Sequence, residues 1–283
     1  MIADTTRTNR AARELCTRLV DYDPALLPPV ADTAVEMKHD GIRAVWRRRL
    51  GVRTMEGVDM DTAAHLLPGL EAIADEMGVD MLDGEYLNPA GFEATLADFQ
   101  RGRGMGVILL WDGVTSAVYD GREPSPPLRA RRAALETAYA RVRAAGRHCG
   151  VGLSRLASGY DAERVELAAG EAWRDDWEGI VVKDLRSGYE RARTSSWMRL
   201  KRTLTCEVRV LSIELRPGTA LLRAVLASYE GREVRIATGF SEAERRRPGD
   251  FTPGSLIEVK HLGVTSSGSL RSPTFLRIRG DRA

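Results

Sequence analysis

The chain reads as an α+β protein of two domains, a larger one of mixed strands and helices followed by a small all-β barrel. Three observations predict this. The 283 residues suffice for two domains and for packed cores without staples. Up to about Leu204, strand-like alternation is interleaved with helical periodicity. Beyond Leu204, five short strand patterns follow one another between Gly/Pro turns, which suits a five-stranded OB-fold barrel, a fold that binds nucleic acid. The domains are set at residues 1–203 and 204–283.

The elements follow in order. Residues 10–20 read as a helix, ended by Asp23-Pro24 and Pro28-Pro29. Residues 33–39 and 42–49 read as strands of a hairpin turning at Asp40-Gly41. Residues 61–77, 91–101, 127–145 and 161–173 carry helical periodicity. Residues 81–87, 107–114, 178–185 and 196–201 read as strands, the second an apolar, buried one. The barrel strands are placed at 207–215, 221–229, 233–238, 255–261 and 274–279, with a short helix at 241–247.

Composition excludes several classes. No apolar run approaches the ~20 residues of a membrane-spanning helix. The polar N-terminus lacks a signal-peptide core, so a cytoplasmic location is expected, in the host cytoplasm if the source is viral. Cys16, Cys149 and Cys206 are odd in number and far apart, as reduced thiols would be. No Cys/His spacing suits a structural zinc. Net charge is +2, but from Thr203 onward 13 basic residues stand against 9 acidic ones. A mildly basic C-terminal part suits phosphates and equally suits a solvated surface.

One compositional fact is sharper. Lysine and arginine together number 42, yet lysine occurs only at 38, 183, 201 and 260. Arginine holds its proton and cannot serve as an amine nucleophile. A lysine that survives in such a chain is a candidate for chemistry that arginine cannot perform.

Four segments carry complementary chemistry. Lys38-His39-Asp40-Gly41-Ile42-Arg43 gathers a lysine, a carboxylate and an arginine around a glycine turn; taken alone it is also an ordinary exposed hairpin. Asp83-Gly84-Glu85 ends a strand. Glu178-Gly179-Ile180-Val181-Val182-Lys183 places a carboxylate before an apolar strand and a lysine after it. Trp197-Met198-Arg199-Leu200-Lys201 turns two cations to one face, an arrangement suited to phosphate. Together they supply a lysine nucleophile, two carboxylates able to hold a divalent metal, and cations for phosphate. Nucleotidyl transfer requires that set. Attack by a lysine needs the neutral amine, which neighbouring cations or burial favour.

In order and spacing, these four segments resemble the motifs of the covalent nucleotidyltransferases, which include ATP-dependent DNA ligases, RNA ligases and mRNA-capping guanylyltransferases. The likeness runs from about residue 30 to the C-terminus. It is greatest to the minimal viral and bacterial DNA ligases, built from a nucleotidyltransferase (adenylation) domain with antiparallel sheets and flanking helices and an OB-fold domain. The C-terminal string from Gly263 to Arg282 also looks like the end of small DNA ligases. The resemblance implies that Lys38 forms the lysyl-AMP bond and that Asp40 and Arg43 organise the nick and the AMP ribose. Arg53 would grip the 5′-phosphate of the nick, and Arg193 is a further contact to the nick. Glu85 would contact ribose and metal, and Glu178 the metal. Lys183, Arg199 and Lys201 would hold the AMP phosphate. Glu36 would accept from the adenine amino group. Trp111 would stack on adenine, or else be a plain core residue.

Two positions depart from the family pattern. Arg199 stands where lysine is usual, which keeps the charge and puts proton donation in doubt. Arg282 replaces the last lysine, which bears on pyrophosphate orientation. ATP is the implied cofactor rather than NAD, because no N-terminal nicotinamide-binding domain or zinc module is evident. Magnesium, with manganese able to substitute, is the implied metal. The expected partner is nicked duplex DNA, sealed in replication, repair or recombination. The chain is expected to act as a monomer with no obligate protein partner and no membrane association. The barrel would pivot near residues 201–206. Within the family, the alternatives are an RNA ligase and a GTP-using capping enzyme; outside it, a non-catalytic nucleic-acid-binding module.

Overall fold

The computed structural model describes residues 16–279. They form two compact units, with the chain divided between Lys201 and Arg202. The first holds ten strands: β1 (Arg18–Asp21), β2 (Thr33–Lys38), β3 (Ile42–Arg47), β4 (Gly51–Thr54), β5 (Met81–Leu87), β6 (Val107–Val114), β7 (Val151–Leu153), β8 (Leu156–Ser158), β9 (Gly179–Asp184) and β10 (Arg193–Lys201). Its helices are α1 (Leu67–Met77), α2 (Phe92–Arg101), α3 (Ser116–Tyr119), α4 (Leu128–Ala144) and α5 (Ala162–Arg174).

These strands make two five-stranded sheets, ordered β1-β10-β9-β2-β8 and β4-β3-β5-β6-β7. The pairings are antiparallel as expected, except that β1 runs parallel to β10 and β6 parallel to β7. One face of the first sheet turns Val35, Ile180, Val182 and Met198 against Val165, Ala169 and Ala172 of α5. The second sheet packs Trp46, Leu82, Ile108 and Leu110 against Leu70 and Ile73 of α1 and Leu135 and Ala138 of α4. Burying such side chains is the main force closing each layer, at roughly 1.5–3 kcal/mol apiece.

The second unit contains β11 (Leu204–Leu215), β12 (Leu222–Tyr229), β13 (Arg232–Ile236), β14 (Leu256–His261) and β15 (Thr274–Arg279), with the short α6 (Glu242–Arg245). Its sheet runs β13-β12-β11-β14-β15. A bridge from Thr238 to Thr274 joins the two edges and closes the barrel. Inside it Phe240 stacks on Phe275, and Phe251 meets both edge-on. Among the described residues no helix is long and apolar enough to cross a membrane.

Two expectations need correction. The Asp40-Gly41 turn is no hairpin: β2 pairs with β8 and β9, whereas β3 pairs with β4 and β5. The chain crosses there from one sheet to the other. Gly41 is needed for close approach, since a Cβ on it would lie 2.3 Å from the Tyr86 carbonyl oxygen and 2.7 Å from Glu85 Cγ. Of the helix expected over residues 10–20, residues 10–15 lie outside the described ones, and the chain from Arg18 is β1, paired with β10, rather than helix. The strands β4, β7 and β8 are too short for alternation to reveal.

Candidate active site

Three adjacent strands of the first sheet set residues in register on a shared face. One row across β2, β9 and β10 is Lys38, Gly179, Lys201; the next is Glu36, Val181, Arg199; the third is Ala34, Lys183, Trp197. From the second sheet, Arg43 on β3, Glu85 on β5 and Trp111 on β6 line the same cavity, whose volume is about 280 Å³. The crossover at Asp40-Gly41 is what brings Lys38 and Arg43, five residues apart, to the two walls.

Glu178 stands immediately before β9 and bridges two lysines. Its Oε2 lies 2.5 Å from Lys38 Nζ, and its Oε1 pairs with Lys201 Nζ. Gly179 makes room for this. Its φ is +152°, and a Cβ there would lie 2.1 Å from the Leu200 carbonyl oxygen. Glycine alone lets β9 and β10 come this close while Glu178 reaches both lysines.

A second ion group lies deeper. Lys183 pairs with Glu36, whose Oε1 is 3.5 Å from Arg132 Nη1 of α4. All three side chains are buried. Lys183 Nζ also sits 3.9 Å from the ring centroid of Trp197 and 5.4 Å from that of Trp111. In the third group Arg43 donates from Nε and Nη2 to the two oxygens of Asp83, at 2.9 and 2.5 Å. Arg43 Nη1 donates to the Thr17 carbonyl at 2.6 Å, and the Tyr189 hydroxyl donates to Asp83 at 2.8 Å. Asp83 is fully buried, so its charge depends on these donors.

The environment moves several titrations. Burial pushes the Glu85 carboxyl up to about 7, against the opposing pull of Lys38, Arg43 and the Gly41 N–H. Burial acts the same way on Glu178, but Lys38 and Lys201 outweigh it and hold that carboxyl below its ordinary value. Burial lowers the Lys183 ammonium despite its pairing with Glu36. Burial also lowers His39, whose Nε2 lies 2.9 Å from Ser154 Oγ. The Arg43 guanidinium loses hydration by burial, yet Asp83 more than compensates and holds it charged.

The structure gathers most of the residues singled out in the sequence. Glu36, Lys38, Lys183, Arg199 and Lys201 line the cavity from the first sheet, with Arg193 at the start of β10. Arg43, Glu85 and Trp111 line it from the second. Glu178 joins through its two lysine pairs. Asp40 and Arg53 are not among the lining residues. Asp40 is half-buried in the crossover, and Arg53 on β4 pairs with Asp59 at 2.7 Å. Arg199 is drawn toward Asp21, 2.8 Å from its Nε. Sequence reasoning did not assign roles to Arg18, His39, Met55 and Trp197, which line the cavity, nor to Asp83, Arg132 and Tyr189, which hold its charged groups. His39, Asp83 and Trp197 lay within the motifs already noted; the others carry no local signal.

A hard divalent cation fits this donor set through carboxylates completed by a ligand. Among the described residues no three His, Cys, Asp or Glu side chains form a metal cage. Glu85, which burial pushes up despite Lys38 and Arg43, and Glu178, which pairs with Lys38, are the carboxylates at hand. One or two carboxylates completed by phosphate oxygens is the usual way magnesium is held beside a nucleotide.

Comparison with known proteins agrees with this architecture. The family described as a DNA ligase OB-like domain matches residues 220–279. A DNA ligase of Methanosphaerula palustris is 26% identical over 92% of this chain and 53% of its own length. The chain thus spans about half the length of that curated relative. The solved structure "Pmar-Lig_Pre." superposes with a TM-score of 0.79 at 21% identity, over 95% of this chain and 68% of that one. A Lig E DNA ligase, solved in a structure–function analysis of DNA binding with a minimal scaffold, superposes with a TM-score of 0.72 at 20% identity, over 93% of this chain and 99% of that one. The fold is therefore the mixed α+β ligase fold, an adenylation domain followed by an OB-like domain.

Proposed function

We propose that this chain, with the fold and the ordered motifs of the ATP-dependent DNA ligases, seals 3′-hydroxyl/5′-phosphate nicks in duplex DNA through a lysyl-AMP intermediate. The observation that carries the reading is the row Lys38, Gly179, Lys201 with Glu178 bridging its lysines at the rim of a nucleotide-sized cavity.

Lys38 Nζ attacks the α-phosphorus of ATP; the N–P bond forms as the P–O bond to pyrophosphate breaks. Glu178 Oε2 is the nearest carboxylate to receive the lysine proton. Lys201, Arg199 and Lys183 offset phosphate charge from one wall, and Arg43 steadies the ribose and the nick from the other. Trp111 offers its face to adenine. AMP then passes to the 5′-phosphate of the nick, which Arg53 and Arg193 contact. The 3′-hydroxyl attacks that phosphorus, and AMP leaves. Magnesium, or manganese in its place, would be held by Glu85 and Glu178 with phosphate oxygens and would supply charge neutralisation. Residues 1–203 carry nucleotidyl transfer, and residues 204–283 add a duplex-binding barrel.

The test is sealing of a nicked duplex, with each strand as DNA or RNA, in the presence of ATP, GTP or NAD. Sealing of the all-DNA duplex with ATP is expected. Preference for GTP or for RNA strands would move the chain to a capping enzyme or an RNA ligase. Duplex binding without covalent AMP would make it a binding module.

A further inference from the structure

A second set of arginines lies on the first unit, outside the cavity. The tip of the β3–β4 hairpin reads Arg47-Arg48-Arg49. With Arg122, just beyond α3, these arginines line a groove of about 440 Å³ that also contains Asp80 and Asp120. Arg48 lies 2.7 Å from Asp75 and 3.6 Å from Asp80, and Arg122 lies 3.0 Å from Asp120. These pairs are solvent-exposed and therefore weak, so a phosphate can take the carboxylates' place.

Tyr119 links this groove to the cavity. The guanidinium carbons of Arg47 and Arg191 lie 4.6 and 4.7 Å from its ring centroid. Arg191 Nη1 also donates to the Tyr119 carbonyl at 3.0 Å. Tyr119 itself is buried, so the two arginines rest on a fixed support. A guanidinium already held by stacking loses less freedom when it meets a phosphate. Arg191 stands two residues before Arg193, which lines the cavity. The cations thus run from Arg193 through Arg191 and Arg47 to Arg48, Arg49 and Arg122.

The spacing suits a nucleic-acid strand. From Arg43 at the cavity to Arg47 at the groove, β3 advances four residues, about 13 Å at ~3.3 Å per residue. One strand of a duplex places about four phosphates along that distance, at ~3.4 Å each along the axis. Arg43 and Arg47 lie on the same face of the strand with the buried Val45 between them, so the distance measures a span between cations and the path over the surface runs by Arg191 and Arg193.

We propose that this arginine track is a phosphate-backbone site that carries one strand of the duplex away from the nick. The proposal rests on the ligase reading and adds to it a surface that none of the motifs contains. Its occupant is the DNA backbone, read by charge and not by base sequence.

The experiment compares the wild type, R49Q/R122Q, and the charge-matched control R143Q/R174Q, whose exposed arginines lie on α4 and α5. Binding of a 5′-phosphorylated nicked DNA duplex is followed by anisotropy across a salt series, and transfer of labelled AMP to the protein is measured in parallel. R49Q/R122Q should weaken duplex binding roughly 10-fold and lower the slope of log K against log salt by about 2, one for each lost phosphate contact. AMP transfer should match the wild type, and the control should keep the wild-type slope. Equal slopes for R49Q/R122Q and wild type overturn the track while leaving the ligase reading in place. An equal loss in the control also overturns it, because the effect is then one of net charge. A wild type that neither takes up AMP nor binds the duplex removes the ligase reading and the track together.

Discussion

Glu178 binds two lysines at once: its Oε2 lies 2.5 Å from Lys38 Nζ while its other oxygen pairs with Lys201. In the proposed reaction the carboxylate would therefore position the nucleophile and a phosphate-binding cation with one group. Glu178→Gln keeps the shape and removes the charge. It should slow formation of covalent AMP by roughly 10²-fold, the loss expected when one preorganised electrostatic contact is removed. Single-turnover labelling with ATP measures this, and a rate like the wild type's would show that Glu178 is only structural.

Glu85 sets a pH dependence. Its carboxyl is pushed by burial up to about 7, from an ordinary value of 4.5. Between those two values the folded chain holds a proton that the unfolded chain has released, so stability declines as pH rises through this window. The contribution is complete below the lower value and gone above the upper one. Glu85→Gln cannot release the proton. In metal-free denaturation series, wild type should lose stability relative to Glu85→Gln as pH rises from 5 to 8. Parallel profiles for the two proteins would refute the assignment.

Asp83 should matter more to stability than its hydroxyl partner. Asp83→Ala leaves the Arg43 guanidinium buried without its fork of two bonds, at a cost of about 3–5 kcal/mol. Tyr189→Phe removes one donor to a charged group and costs about 1.5–3 kcal/mol. Urea denaturation ranks them, and an equal or reversed order would show that Arg43 finds other partners.

Trp111 lines the cavity with the Arg43 guanidinium carbon 5.2 Å and Lys183 Nζ 5.4 Å from its ring centroid, and its Nε1 has no hydrogen-bond partner among the described residues. In the proposed reaction the ring face is what the nucleotide would use. Trp111→Ala should raise KM for ATP by roughly 10-fold, within the 1–3 kcal/mol that stacking of a base provides, and Trp111→Phe should recover most of it. An unchanged KM in the alanine variant would return Trp111 to the core.

Much of the site was legible because its residues stand in short ordered motifs. The scarcity of lysine pointed to Lys38, Lys183 and Lys201, and all three line one cavity. Alternation along residues 197–201 placed Arg199 and Lys201 on one face, where β10 presents them. The Asp40-Gly41 dipeptide misled, because its glycine answers to a close approach by β5 and not to hairpin geometry. Arg132 and Tyr189 were out of reach. Each acts through a partner nearly a hundred or more residues away, Glu36 and Asp83, and no local pattern records such a contact. Arg53 shows the reverse case: the family resemblance singled it out, but here its guanidinium pairs with Asp59.

The most direct measurement is transfer of α-labelled AMP from ATP to Lys38→Ala and Lys38→Arg, read on denaturing gels. Arginine keeps a cation beside Glu178 but cannot shed its proton to attack. The account predicts label on the wild type and none on either variant, with both variants folded. Label retained by either one would contradict it, because the nucleophile would then lie elsewhere in the chain.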